Sequence, residues 1–182
     1  MSEAWIETST GIKFDLLDPQ PDMVKIEDIA HALSQQNRFT GHAKFPYPVS
    51  QHCRLGSLAI EPRFALEFLL HDASEAYLSD WNRSLKHFTV AGQEYMKLEK
   101  HLEKLLADIF HMPYPMSREV KLMDNMMLYA EKAQLIRPLE WSHDWSEGDG
   151  SAQVPADVII YETSFQENKF LYLNRFDKLI NQ

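Results

Sequence analysis

Apolar residues recur at three- and four-residue spacing along most of the chain, and strict two-residue alternation is scarce. Ile26, Ile29, Ala30 and Leu33 predict a first helix ending near Asn37, and Ser50 to Ile60 predicts a second, stopped at Pro62. Between them Gly41, Pro46 and Pro48 mark 38–48 as loop, because proline fixes φ and removes a backbone donor. Pro62 to Leu78 is apolar around most of its circumference (Phe64, Ala65, Leu66, Phe68, Leu69, Leu70, Ala73, Ala76, Tyr77), as a helix in the middle of a bundle is. Val90 to Phe110 carries Tyr95, Leu98, Leu102, Leu105, Leu106 and Ile109 on one stripe, and Pro113 and Pro115 end it. Met116 to about Leu139 predicts another helix through Val120, Met123, Met127 and Ala130. A last one falls within Tyr161 to Ile180, on Phe165, Phe170, Leu173, Phe176 and Leu179. Trp141 to Pro155 reads as a surface loop on Gly148, Gly150 and its acids. Ahead of the first helix, Trp5, Ile6, Thr8, Thr10 and Phe14 around Gly11 suit either a short β-hairpin or coil, closed by Pro19 and Pro21. The expected fold is all-α, one domain over 1–182 with an N-terminal extension at 1–22.

Composition narrows the partners. At 182 residues a single core can bury roughly 70% of the unfolded surface without metal or disulfide staples. With 18 Lys+Arg against 27 Asp+Glu, the net charge of −9 argues against a nucleic-acid polymer, whose binding depends on clustered cations. A small anionic substrate stays open, provided a metal or a few basic groups supply local positive charge. The single cysteine, Cys53, excludes an intrachain disulfide, and no apolar run reaches the ~20 residues of a membrane span. A cytoplasmic protein with no membrane partner is therefore expected, and the apolar faces on its outer helices suggest a homo-oligomer.

His71 and Asp72 follow directly on Phe68-Leu69-Leu70, with Glu75 four residues after the histidine. Residues three and four apart on a helix share a face, so the three side chains point toward one spot in the interior. A bare carboxylate there costs several kcal/mol unless it is paired or coordinates a cation. A buried His-Asp hydrogen bond would satisfy the dipeptide alone; a metal would need further donors from other elements. His52 on the preceding helix is one candidate. Asp124 is another, since aspartate inside the Met-rich run Met123-Asp124-Asn125-Met126-Met127 is out of place without a partner.

The order His52, His71-Asp72, Asp124 on successive helices resembles the HD-domain superfamily of metal-dependent phosphohydrolases. The string from His71 to Asp80 (HDASEAYLSD), followed by Leu85-Lys86, is similar to the 5′-deoxynucleotidase branch and to short phage and prophage HD proteins. Ile26 to Ser34, Arg38-Phe39-Thr40-Gly41-His42 and Tyr47 to His52 are similar to the latter group too, and the likeness runs from about 26 to 135. It implies an HD helical bundle with His52, His71, Asp72 and Asp124 as ligands of a divalent metal: Mn, Co, Fe, Zn, Ni or Mg. It further implies Asp80 in proton transfer or water orientation, with Glu75 as a neighbouring acid/base or second-metal residue. Arg38 matches the phosphate-binding arginine, Phe39 an aromatic packed on sugar or base, and Lys86 a second phosphate contact. His31 reads as structural; His42 stays open between structure and site. Pro48 and Trp81-Asn82-Arg83-Ser84 depart from the branch's pattern and bear on loop shape and substrate selection.

The implied activity is hydrolysis at the α-phosphorus of a (deoxy)nucleotide, releasing nucleoside with phosphate from a monophosphate or with triphosphate from a triphosphate. The alternative is a non-catalytic nucleotide- or metal-binding HD regulatory module, which would not need the full set of ligands and acids.

Overall fold

A computed structural model describes residues 3–137 and 158–181. The architecture is mostly helical, with one small antiparallel sheet at the N-terminus in which β1 (Trp5–Glu7) pairs with β2 (Lys13–Asp15), Ile6 facing Phe14. The hairpin is thus real, and two contacts hold it on the helices. Asp28 accepts from Ser9 Oγ at 2.6 Å and from Thr10 N and Oγ1 at 2.8 and 2.7 Å. Phe14 stacks on Tyr77 with centroids 3.9 Å apart.

The helices are α1 (Ile26–Leu33), α2 (Val49–Ala59), α3 (Ala65–Leu70), α4 (Glu75–Leu78), α5 (Arg83–Phe88), α6 (Val90–Phe110), α7 (Arg118–Leu135) and α8 (Phe165–Ile180). α2 and α3 pack closely at the centre, with α8 laid across both and across α1. Gly56 makes that approach possible: a Cβ there would sit 2.1 Å from the Phe68 ring. One buried cluster joins Phe14, Leu33, Cys53, Leu69, Leu102 and Tyr172; a second joins Tyr47, Phe68, Val120, Met127 and Leu135. Among the described residues no helix is long and apolar enough to cross a membrane.

Several boundaries differ from the sequence pattern. α1 stops at Leu33, four residues before Asn37, because Asn37 bridges to Pro48 across the loop. α7 begins at Arg118 rather than Met116, since the Glu67 carboxylate binds Ser117 N at 2.6 Å and Oγ at 2.9 Å just ahead of it. The turn before Lys86 contains a helix, α5, which Asn82 caps by accepting from Leu85 N. The helix predicted to about Leu139 ends at Leu135, where Ile136 turns to extended backbone, and the predicted loop Trp141 to Pro155 lies outside the described residues.

The last difference is at the site itself. The helix predicted from Pro62 to Leu78 is a 3₁₀ turn (Pro62–Phe64) followed by α3 and α4, with the chain broken at 71–74. Phe68 O accepts from the His71 ring Nδ1–H at 2.7 Å, and Leu69 O accepts from the Tyr172 hydroxyl at 2.8 Å. Side chains thereby occupy the two carbonyls that would close the next α-turn, and the backbone tightens. Ala73 N reaches Leu70 O, Glu75 N reaches Asp72 O and Ala76 N reaches Ala73 O, all three residues back. The break re-aims His71 and Asp72 relative to the apolar helix that carries them.

Candidate metal centre

His52 comes from α2, His71 and Asp72 from the break after α3, and Asp124 from the middle of α7. Their donor atoms converge. His52 Nε2 lies 3.3 Å from His71 Nε2, 3.2 Å from Asp124 Oδ1 and 3.7 Å from Asp72 Oδ2. His71 Nε2 lies 3.2 Å from Asp72 Oδ1 and 3.7 Å from Asp124 Oδ1. Donors bound at about 2.1 Å to one transition-metal ion stand about 3.0–3.4 Å apart, close to these separations. The group His52, His71 and Asp72 could hold a metal ion.

The tautomers fit that role. The Phe68 carbonyl can only accept, so His71 carries its proton on Nδ1; the Glu131 carboxylate accepts from His52 Nδ1–H at 2.5 Å. In the neutral rings both Nε2 lone pairs then face each other and two carboxylates with no hydrogen between them. A cation resolves that arrangement; otherwise protons must. Burial disfavours a charged His71, yet the neighbouring Asp72 lifts it well above the ordinary histidine range. His52 is raised as well, with Glu131 and Asp124 outweighing burial and Arg38. Burial would raise Asp124, but hydrogen bonds with His52 and His71 hold it well below the usual carboxylate range. With neutral imidazoles, the carboxylates of Asp72, Asp124 and Glu131 against Arg38 leave two uncompensated negative charges, the complement of a divalent ion.

The centre opens into a cleft of about 550 Å³, the size of a small-molecule site, lined by Arg38, Phe39, His42, Asp72, Glu75, Asp80, Trp81, Lys86, Asp124 and neighbours. The sequence-predicted residues are therefore brought together, with His52 and His71 buried behind the wall that the rest form. Arg38 donates from Nη2 to Glu131 Oε2 at 3.0 Å, keeps Nη1 at 3.6 Å from Asp72 Oδ2, and leaves Nε buried without a partner. Its Cζ lies 5.8 Å from the Phe39 ring centroid. Phe39 and Thr40, both at positive φ, and Gly41 turn the loop over the cleft.

The opposite wall carries the acids. Lys86 Nζ binds Glu99 at 2.7 Å and Glu75 Oε1 at 3.4 Å, while Glu75 Oε2 is buried without a partner. Burial, reinforced by Asp72 and Asp80, pushes Glu75 well above the ordinary carboxylate range. Asp80 is raised by burial and by Asp72, against the pull of Arg38 and Lys86. Gln36 ties this wall to α1, its amide donating to Glu75 O and accepting from Asp80 N, both at 3.0 Å.

Glu131 is the residue that sequence reading missed. It is fully buried, and one oxygen serves both His52 Nδ1–H and the Tyr47 hydroxyl, 2.9 Å away. Its signal was present: it lies seven residues, two turns, beyond Asp124, on a face shared with Val120 and Met127. His31 sits apart from the cleft, against Gln35, Lys169 and the Phe165 ring, as a structural histidine does.

No protein-family model matches the chain. It is 35% identical over 132 residues to the uncharacterized protein YfdR of Escherichia coli, covering 72% of each chain. It is also 32% identical over 148 residues to an uncharacterized protein of Rhodobacter capsulatus, with 74% of each covered.

Proposed function

The chain belongs to the protein family that includes YfdR of Escherichia coli, and from that footing we propose that it is a divalent-metal-dependent phosphohydrolase of the HD superfamily, acting at the α-phosphorus of a (deoxy)nucleotide. One observation carries the reading. The convergent donors of His52, His71, Asp72 and Asp124 open on the cleft that also holds Arg38 and two carboxyls with raised affinity for protons.

His52, His71, Asp72 and Asp124 would hold the ion, which when bound would supply an acidified water and positive charge against the phosphoryl oxygens. Arg38, anchored at Nη2 by Glu131, turns Nη1 toward the cleft beside Asp72, where its charge can meet a phosphate oxygen. Phe39 and Trp81 offer apolar wall for the nucleoside. Lys86 neutralises charge across the cleft from Arg38. Water attacks phosphorus and the bond to the 5′ oxygen breaks. Asp80 receives the proton from water, and the protonated Glu75 carboxyl supplies one to the departing oxygen. From a monophosphate the products are nucleoside and phosphate; from a triphosphate, nucleoside and triphosphate.

The test is incubation of Mn²⁺- or Co²⁺-loaded protein with a panel of nucleoside mono- and triphosphates, with products separated by chromatography. Release of phosphate or of intact triphosphate supports the proposal and separates its two forms. No turnover of any nucleotide with any divalent ion overturns it.

A further inference from the structure

A carboxylate with no exposed surface is expensive unless its lone pairs are used, and Glu131 uses them on groups of different kinds. Oε1 accepts from His52 Nδ1–H and from the Tyr47 hydroxyl, and Oε2 accepts from Arg38. One side chain of α7 thus grips a residue of the donor cluster and the cation facing the cleft. The same loop is strapped a second time to the end of α7: Lys44 N donates to Leu135 O at 3.0 Å and Lys44 Nζ to Gln134 O at 2.7 Å. A purely mechanical tie between loop and helix therefore exists without Glu131. The buried carboxylate does something the strap does not.

We propose that Glu131 is a positioning residue which, through its two oxygens, ties the metal ligand His52 to the anion-binding Arg38, so that the chain takes up its cation and a phosphate group as a coupled pair. The proposal rests on the metal-dependent reading above. Holding Nδ1–H fixes the His52 ring with Nε2 toward the donor cluster and makes that nitrogen a better donor. The same carboxylate keeps the guanidinium in place by one nitrogen. Arg38 Nη1 meanwhile rests near Asp72, whose charge a bound cation would satisfy. Cation uptake then releases Nη1 to meet an anion, and Glu131, holding Nη2, prevents the released arginine from swinging away. By linkage, an anion on Arg38 must tighten the cation by the same factor.

Mn²⁺ affinity, measured by competition with a chromophoric chelator with and without inorganic phosphate, tests this in the full chain. Wild type should bind Mn²⁺ several-fold more tightly in phosphate. Glu131→Gln should bind it about 10–100-fold more weakly and lose most of the phosphate effect, with partial rescue in Glu131→Asp. Arg38→Lys keeps the charge but cannot bridge, and should weaken Mn²⁺ about fivefold even in phosphate-free buffer; a residue that only touched substrate would leave that value unchanged. Should Glu131→Gln not fold, the Arg38→Lys measurement decides alone. A folded Glu131→Gln or Arg38→Lys with wild-type Mn²⁺ affinity in phosphate-free buffer overturns the proposal and leaves the metal-dependent reading standing. A wild-type chain that binds no divalent ion removes both.

Discussion

The two walls of the cleft are built on opposite principles. On the donor side each histidine is held from behind, His71 by Phe68 O and His52 by Glu131, and Glu131 is itself held by Tyr47 and Arg38. On the acid side the elements are short. α4 is one turn long, Ser79 sits at φ +69°, and Glu75 keeps an unpartnered oxygen. What the contrast teaches is a division of labour. Under the proposed metal-binding role, ligand geometry tolerates little error, and the buried hydrogen bonds behind the two histidines meet that demand. In the proposed reaction the acids exchange protons, and a buried carboxyl with an unpartnered oxygen, as Glu75 is, suits that role.

The largest expected effect follows from breaking the rigid wall. Asp72→Ala removes a donor and frees two imidazoles that were compensated by it. Mn²⁺ binding should fall below detection in a chelator competition, and phosphate release by about 10³-fold or more. Retained hydrolysis in a metal-free Asp72→Ala sample would break the comparison, because the donor wall would then have no catalytic purpose.

The acid wall should respond with opposite signs in activity and stability. Glu75→Gln keeps the shape and leaves Lys86 with Glu99. Turnover should drop about 10²–10⁴-fold, the usual worth of a positioned acid or base. Stability should rise. A carboxyl whose folded-state pKa is raised binds its proton more tightly in the fold than in the unfolded chain. Its contribution is full below the ordinary value of 4.5 and is lost as pH climbs through the raised one. The variant lacks that loss, so its Tm advantage over wild type should be near zero at pH 4 and grow toward pH 8. Every tenfold by which the fold tightens its hold on that proton is worth about 1.4 kcal/mol, or about 3–6 °C. A flat Tm difference across that range would mean that Glu75 is not held protonated by its surroundings.

The donor wall was legible in the sequence and its supports mostly were not. His71, Asp72 and Asp124 stand out as polar residues in apolar runs, His52 is legible only through the order of residues that carries the family resemblance, and α6 and α8 follow from apolar spacing. Glu131 escaped because a glutamate beside a lysine near a helix end has the pattern of a solvated face; its burial depends on Arg38, 93 residues away, and on His52, 79 residues away. The break at 71–74 was hidden for the same reason. Every residue from Pro62 to Leu78 is compatible with helix, and one of the two side-chain bonds that end it comes from 103 residues away, the Tyr172 hydroxyl on the Leu69 carbonyl. Local pattern reports which side chains want burial, and only the assembled core reports which hydrogen bonds they will take from the backbone.

That last point can be sharpened by the mildest of the substitutions. Tyr172 is fully buried on α8, and its ring fills the first core cluster whether or not the hydroxyl is present. Tyr172→Phe therefore removes only the donor to Leu69 O. The loss should be about 1 kcal/mol, a Tm decrease of about 2–4 °C, since a buried carbonyl is left without that partner. His71 Nδ1–H still holds Phe68 O, so one of the two side-chain bonds that break the helix survives. The donor cluster should accordingly move little, and Mn²⁺ affinity should fall by less than about threefold. A much larger loss of affinity with the same small Tm change would mean that the break, and with it the aim of His71 and Asp72, depends mainly on α8. In that case the rigidity of the donor wall would originate in the whole bundle rather than in the bonds immediately behind each ligand.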